Sequence, residues 1–205
     1  MASQTPDSDT SSRARALAVG LLALLATAIF VAACGSQEDE IDPGNADDAP
    51  DYSKMVAAAP PAFAEIYDAE GGGLIDGGLE AYEAQIAALE GYPIVVNKWA
   101  SWCGPCRIEF PHFQKEAAER GDEVAFLGLN TDDADDFASD FLATHPVPYG
   151  SFSDPDKEIA QALGTIAFPS TIFYNAEGEK TYVREGFYDS QEDLAADIDR
   201  YAVNG

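Results

Sequence analysis

Apolar and β-branched residues crowd together over Ile94–Trp99, return at helical spacing from about Cys103 to Arg120, and crowd again over Glu123–Asn130. Short apolar runs read as buried strands and a period near 3.6 as a helix, so this stretch predicts strand, helix and strand, followed by a helix over Asp133–Thr144. An extended piece near Tyr149–Phe152 precedes a further helix, expected to start with Asp154 as N-cap and Pro155 at the first position, where the missing N–H would be unpaired in any case. Pro169 introduces strand Ser170–Asn175, and the turn Ala176-Glu177-Gly178 folds it back onto Lys180–Glu185 as an antiparallel hairpin. The last helix starts at Ser190, with Asp193 three residues on as a capping-box-like pair, and buries Leu194, Ile198 and Tyr201. Strands alternating with helices imply a mostly parallel central sheet.

Upstream the pattern is different. Two short helical stretches, Pro61–Ala69 and Leu79–Glu90, flank Gly71-Gly72-Gly73, and the second carries Leu79, Tyr82, Ile86 and Leu89 at helical spacing. Residues 52–92 therefore read as a helical N-terminal extension packed on a domain spanning residues 93–205. Residues 35–51 hold seven acids and no base, with one large aliphatic residue, too little apolar surface to fold, and read as an acidic disordered tether. Ala16–Ala33 is an apolar run behind Arg13 and Arg15, and marks residues 1–34 as a membrane-targeting segment. Its ending, Val31-Ala32-Ala33-Cys34, resembles a bacterial lipoprotein signal, which implies cleavage before Cys34 and lipidation of that residue. The alternative is an uncleaved signal anchor, since about 18 apolar residues approach the length of a bilayer span. Either way, bases before the run and acids after it place the remainder on the extracytoplasmic face of the cell membrane.

The 205 residues carry a net charge of −26, from 37 acidic and 11 basic side chains, which makes nucleic acid a poor partner. This charge is otherwise the mark of a well-solvated exterior and assigns no activity. Chemistry enters with the cysteines. Cys34 ends the apolar run, whereas Cys103 and Cys106 lie three residues apart in Trp102-Cys103-Gly104-Pro105-Cys106, at a predicted strand-to-helix junction. Helix N-termini favour a thiolate, which makes Cys103 the nucleophile and Cys106, one turn further in, the resolving thiol. A purely structural staple is the weaker reading, because a ring of about four residues gains only roughly 2 kcal/mol by loop entropy. A zinc half-site lacks further cysteines and has only His112 and His145 to draw on, so no metal is expected.

The run Val95-Val96-Asn97-Lys98-Trp99-Ala100-Ser101-Trp102-Cys103-Gly104-Pro105-Cys106-Arg107-Ile108-Glu109-Phe110-Pro111-His112-Phe113 resembles the active-site region of the thioredoxin superfamily, in particular its membrane-anchored TlpA/ResA-type branch. The likeness extends from about Ile94 to Tyr201. It implies an α/β thioredoxin-like fold, a central mixed sheet flanked by helices, and thiol–disulfide exchange without a cofactor. Pro111 matches the proline that kinks the family's active-site helix. Pro169 matches the cis-proline set against the cysteine pair, where the Phe168 backbone would pair with substrate; Trp102 would flank the groove. Asn97 stands where thioredoxins proper carry a buried aspartate, a change typical of this branch. Glu109 matches an acidic residue that tunes the cysteines or shuttles protons, the alternative being a solvated helix charge. Gly104-Pro105 is the dipeptide of reducing thioredoxins. Acid-rich Thr131–Asp140 and the helix after it match the branch's insertion, while Lys98 departs from the apolar residue expected there.

The resemblance implies a reductase of protein disulfides in the cell envelope, for example of the haem-site cysteines of apocytochrome c, supplied with electrons by an integral-membrane thiol carrier. Two other classes stay open at the level of sequence. A reduced cysteine pair is a soft Cu(I) site, although Met1 and Met55 are the only methionines. A thiol peroxidase would need a threonine or serine pattern before the reactive cysteine that Ala100-Ser101-Trp102 does not supply.

Overall fold

The computed structural model describes residues 49–68 and 70–205. The targeting segment with Cys34, and all but the last residues of the expected tether, lie outside the described residues. Among those described, no helix is long and apolar enough to cross a membrane.

The core elements follow in chain order as β2 (Ile94–Trp99), α3 (Gly104–Arg120), β3 (Ala125–Thr131), α4 (Asp135–Thr144), β4 (Ser151–Asp154), α5 (Glu158–Leu163), β5 (Ser170–Tyr174), β6 (Lys180–Glu185) and α6 (Gln191–Asp197), which runs on as a π-helical turn over Ile198–Val203. They are preceded by α1 (Ser53–Ala58), a 3-10 turn over Pro61–Phe63, the two-residue strand β1 (Leu74–Ile75) and α2 (Gly78–Ala88). The sheet has six strands in the order β1-β4-β3-β2-β5-β6. β1, β4, β3 and β2 pair in parallel, whereas β5 pairs antiparallel with both β2 and β6, giving the mixed sheet that the resemblance implies. β2 and β3, central and buried along their whole length, carry the apolar runs seen in the sequence, which in β2 are interrupted by Asn97 and Lys98. β6 at the edge alternates partly buried and exposed residues.

Three expectations are corrected. The helix expected over Pro61–Ala69 is only the 3-10 turn, after which Ile66 and Tyr67 drop into the core and the Tyr67 hydroxyl bridges the Val124 carbonyl and the Phe126 N–H, each at 3.0 Å. The expected all-helical extension also contributes β1, paired with β4 at Leu74↔Ser151, so this segment completes the sheet. The helix after β4 begins at Glu158 rather than at Pro155. Asp154 still caps it, its carboxylate accepting the N–H groups of Ile159 and Ala160 at 3.0 Å, but it does so from β4 across an intervening turn. Ser190 caps α6 as expected, accepting the Asp193 N–H at 3.2 Å.

α3 crosses the sheet face that Trp99 occupies. It buries Cys106, Glu109, Phe110, Phe113 and Ala117 along one stripe, with Phe110 edge-on to Trp99 at 5.3 Å. Pro111 lies inside this helix, where it withholds one backbone donor. The Trp99 Nε1–H reaches Ser151 Oγ on β4 at 3.2 Å, past Gly128 on the strand between, where a Cβ would collide with that oxygen.

Candidate active site

β2 ends at Trp99, and a tight turn carries the chain through Ser101 and Trp102 into α3, whose N-cap is Cys103. Cys103 and Cys106 form a disulfide with their Cα atoms 5.3 Å apart, and Cys103 Sγ accepts the Cys106 N–H at 3.2 Å. The first sulfur thus sits where the unpaired N–H groups of a helix N-terminus stabilise negative charge. Both cysteines are buried in this oxidised state.

The turn is clamped from two sides. The Asp133 carboxylate accepts from the Ser101 N–H at 2.5 Å, the Ser101 hydroxyl at 2.9 Å and Asn130 Nδ2 at 3.0 Å. Arg107 folds back onto the Ser101 carbonyl through Nε and Nη2, at 3.0 and 2.8 Å, with its guanidinium over the Phe141 ring. Asp133 lies in the loop between β3 and α4 and Arg107 in the first turns of α3, and the sequence reading assigned neither to this turn.

Trp102 is 56% exposed; its Nε1–H donates to the Asp132 carbonyl at 2.8 Å and its ring centroid lies 5.0 Å from that of Phe168. The Phe168–Pro169 peptide bond is cis. The loop before β5 meets the cysteine turn through the Phe168 ring, and Ile166, 91% exposed, extends the apolar surface along the loop.

Asn97 and Glu109 lie inside the protein. Asn97 is opposite Thr171 in register and, two residues before Trp99 on the same strand, faces α3. Neither polar atom of its amide has a protein partner, and the same holds for Thr171 Oγ1 and Glu109 Oε1. Glu109 is fully buried, its Oε2 accepting the Tyr188 N–H at 3.2 Å, so it is not a solvated helix charge. Burial pushes its carboxyl well above the usual carboxylate range, against the smaller opposing effects of the Tyr188 N–H and Arg184.

Cys103, Cys106, Trp102, Phe168 and Pro169 therefore gather at one end of the sheet, with Asn97 and Glu109 beneath. Cys34 lies outside the described residues. Among those described, no group of three or more His, Cys, Asp or Glu side chains is arranged to hold a metal ion.

The redoxin family model matches residues 46–198, most of the chain. The chain belongs to the redoxin family. This redoxin is 31% identical over 107 residues to the thiol-disulfide oxidoreductase ResA of Oceanobacillus iheyensis, covering 50% of this chain and 54% of that one. It is 39% identical over 93 residues to the thiol:disulfide interchange protein DsbE of Pseudomonas fluorescens, covering 45% and 51%. The chain thus spans about half the length of these curated relatives. Among solved structures, a secreted Mycobacterium tuberculosis disulfide oxidoreductase homologous to Escherichia coli DsbE superposes on the redoxin with TM-score 0.51 and 27% identity, covering 56% of this chain and 85% of that one. The thioredoxin-like α/β fold expected from the sequence is the fold of this redoxin.

Proposed function

We propose that this redoxin is a cell-envelope thiol–disulfide oxidoreductase that reduces protein disulfides, with Cys103 and Cys106 as its redox pair. The observation that carries the proposal is the Cys103–Cys106 disulfide at the N-terminus of α3, beside the Trp102–Phe168 contact that joins it to the cis-proline loop. The names of the relatives, thiol-disulfide oxidoreductase and thiol:disulfide interchange protein, support the same reading.

In the reduced protein the Cys103 thiolate attacks one sulfur of a substrate disulfide. The substrate S–S bond breaks, the leaving sulfur departs as a thiolate that takes up a proton, and Cys103 is left in a mixed disulfide. The Cys106 thiol then loses its proton and attacks Cys103 Sγ, so the substrate leaves as a dithiol and the intramolecular disulfide forms. Two electrons pass from the cysteine pair to the substrate. Glu109, raised in pKa and buried in the α3 stripe that includes Cys106, is assigned as the group that exchanges the Cys106 proton, with Asn97 in the same polar layer. Phe168 and Pro169 offer backbone to an extended substrate, which adds as a short strand, and Trp102 flanks it. Pro105 keeps the intervening dipeptide free of charge.

Substrates of this class include the haem-site cysteines of apocytochrome c, and an integral-membrane thiol carrier restores the dithiol. We place residues 1–34 as the targeting segment, 35–51 as tether, 52–92 as extension and 93–205 as the redox domain, held at the extracytoplasmic membrane face by lipid on Cys34 or by an uncleaved anchor.

Equilibration with glutathione and dithiothreitol buffers tests the direction. A reductant has a potential nearer to about −270 mV than to about −120 mV, and a midpoint above roughly −150 mV would make the protein an oxidase.

A further inference from the structure

Lys98 interrupts the apolar run of β2 and is 1% exposed in the middle of the sheet. Its Nζ donates to the Ala167 carbonyl at 2.9 Å and lies 4.1 Å from the centroid of the Phe168 ring. Taking an ammonium out of water costs several kcal/mol, which the Ala167 carbonyl, the Phe168 ring and the nearby carboxylates of Glu185, Asp154 and Asp132 offset only in part, so that burial leaves its pKa below the ordinary lysine value. An aliphatic residue would fill the same space without that cost, so core stability does not account for a lysine.

The loop it touches is also held by Glu185, at the end of β6. The Glu185 carboxylate accepts the Ala167 N–H at 2.8 Å, the Ile166 N–H at 3.4 Å and the Ser170 hydroxyl at 3.1 Å. Ser170 Oγ, which accepts from Thr165 Oγ1 at 2.7 Å, also reaches the Ala167 carbonyl at 2.8 Å. The peptide groups of Ala167 are therefore fixed at both ends, N–H by Glu185 and C=O by Lys98. Those of Phe168, one residue nearer the cis bond, take part in none of these contacts. The Phe168 ring contacts both the Lys98 ammonium and Trp102.

We propose that Lys98 and Glu185 are positioning residues for extended disulfide substrates: they lock Ala167 and orient the Phe168 backbone so that a substrate strand can pair with it beside Cys103. The inference rests on the oxidoreductase reading above and adds to it the source of a preference for polypeptide over small disulfides. A small disulfide needs only access to the Cys103 sulfur, whereas a polypeptide must also find a preorganised backbone edge, and displacement of such an edge misaligns the reacting sulfurs.

The experiment compares the reduced protein with two variants, Lys98→Met and Glu185→Ala, by stopped-flow tryptophan fluorescence against two substrates. One is a peptide with an internal disulfide and extended flanks; the other is hydroxyethyl disulfide. Both variants are expected to lose about 10-fold in rate constant with the peptide while staying within about 2-fold of wild type with hydroxyethyl disulfide. Glu185 is on the exposed edge of the sheet, so its variant decides the matter if Lys98→Met does not fold. Equal losses on both substrates, or no loss on the peptide in Glu185→Ala, would overturn the assignment. A wild-type protein inert toward both disulfides would instead remove the oxidoreductase reading on which it stands.

Discussion

The rings of Trp102 and Phe168 meet with centroids 5.0 Å apart, although the residues are separated by β3, β4 and three helices in the chain. One ring precedes the cysteine pair and the other precedes the cis-proline, so this contact joins the two loops. Trp102 is anchored by its indole N–H on the Asp132 carbonyl, and Phe168 by the Lys98 ammonium over its ring.

Trp102→Ala removes one partner of that contact without touching the core, since the side chain is mostly exposed. The expected result is little change in the urea midpoint and a several-fold rise in KM for a peptide disulfide. An unchanged KM would take Trp102 out of the substrate groove.

Cys103→Ser is expected to abolish exchange, and Cys106→Ser to accumulate mixed disulfides, because only the helix N-cap thiol has the first turn of N–H groups around it. Non-reducing electrophoresis after incubation with a disulfide-bearing protein distinguishes the two. Trapping by Cys103→Ser would reverse their roles.

Asp133→Ala leaves the Ser101 N–H and hydroxyl and Asn130 Nδ2 without their shared acceptor. Charge-assisted hydrogen bonds of this kind make a loss of about 2 kcal/mol the expected outcome in denaturant titration. Asp133→Asn, which keeps one oxygen acceptor, should lose less.

Glu109 gives a pH dependence of definite sign. Its folded carboxyl holds the proton above the ordinary value of 4.5, so between that value and the raised one the folded protein binds more protons than the unfolded chain. Stability from this group is fully present below pH 4.5 and is lost as pH rises through the folded pKa. Glu109→Gln removes that slope, and its urea midpoint should gain on wild type between pH 5 and pH 8, while its exchange rate at Cys106 falls. A constant difference across this range would mean that Glu109 is not protonated in the folded protein.

Mass spectrometry of the mature N-terminus is expected to find diacylglycerol on Cys34. An unmodified N-terminus upstream of Ala16 would replace the lipid with an uncleaved anchor.

The sequence alone determined the alternation of β2, α3 and β3, the β5–β6 hairpin, the Ser190 cap and the Cys103–Cys106 pair, because each depends on a local period, a turn or a spacing of a few residues. It also marked Asn97, Glu109 and Pro169 through resemblance. Tertiary structure decided the rest. Whether Glu109 is solvated or buried depends on Tyr188 and Arg184, which the chain reaches only after crossing the whole sheet. The start of α5 was misplaced because Asp154 caps it through space from β4, not from the adjacent position. β1 was missed because two residues show no period, and it exists only where β4 offers an edge. Lys98 was visible as an exception to the apolar pattern, yet its meaning required the Ala167 carbonyl and Phe168 ring that β5 and its cis-proline loop bring alongside β2. Local order follows from nearest neighbours in sequence, whereas the surroundings of a buried charge follow from strands that pair across long separations.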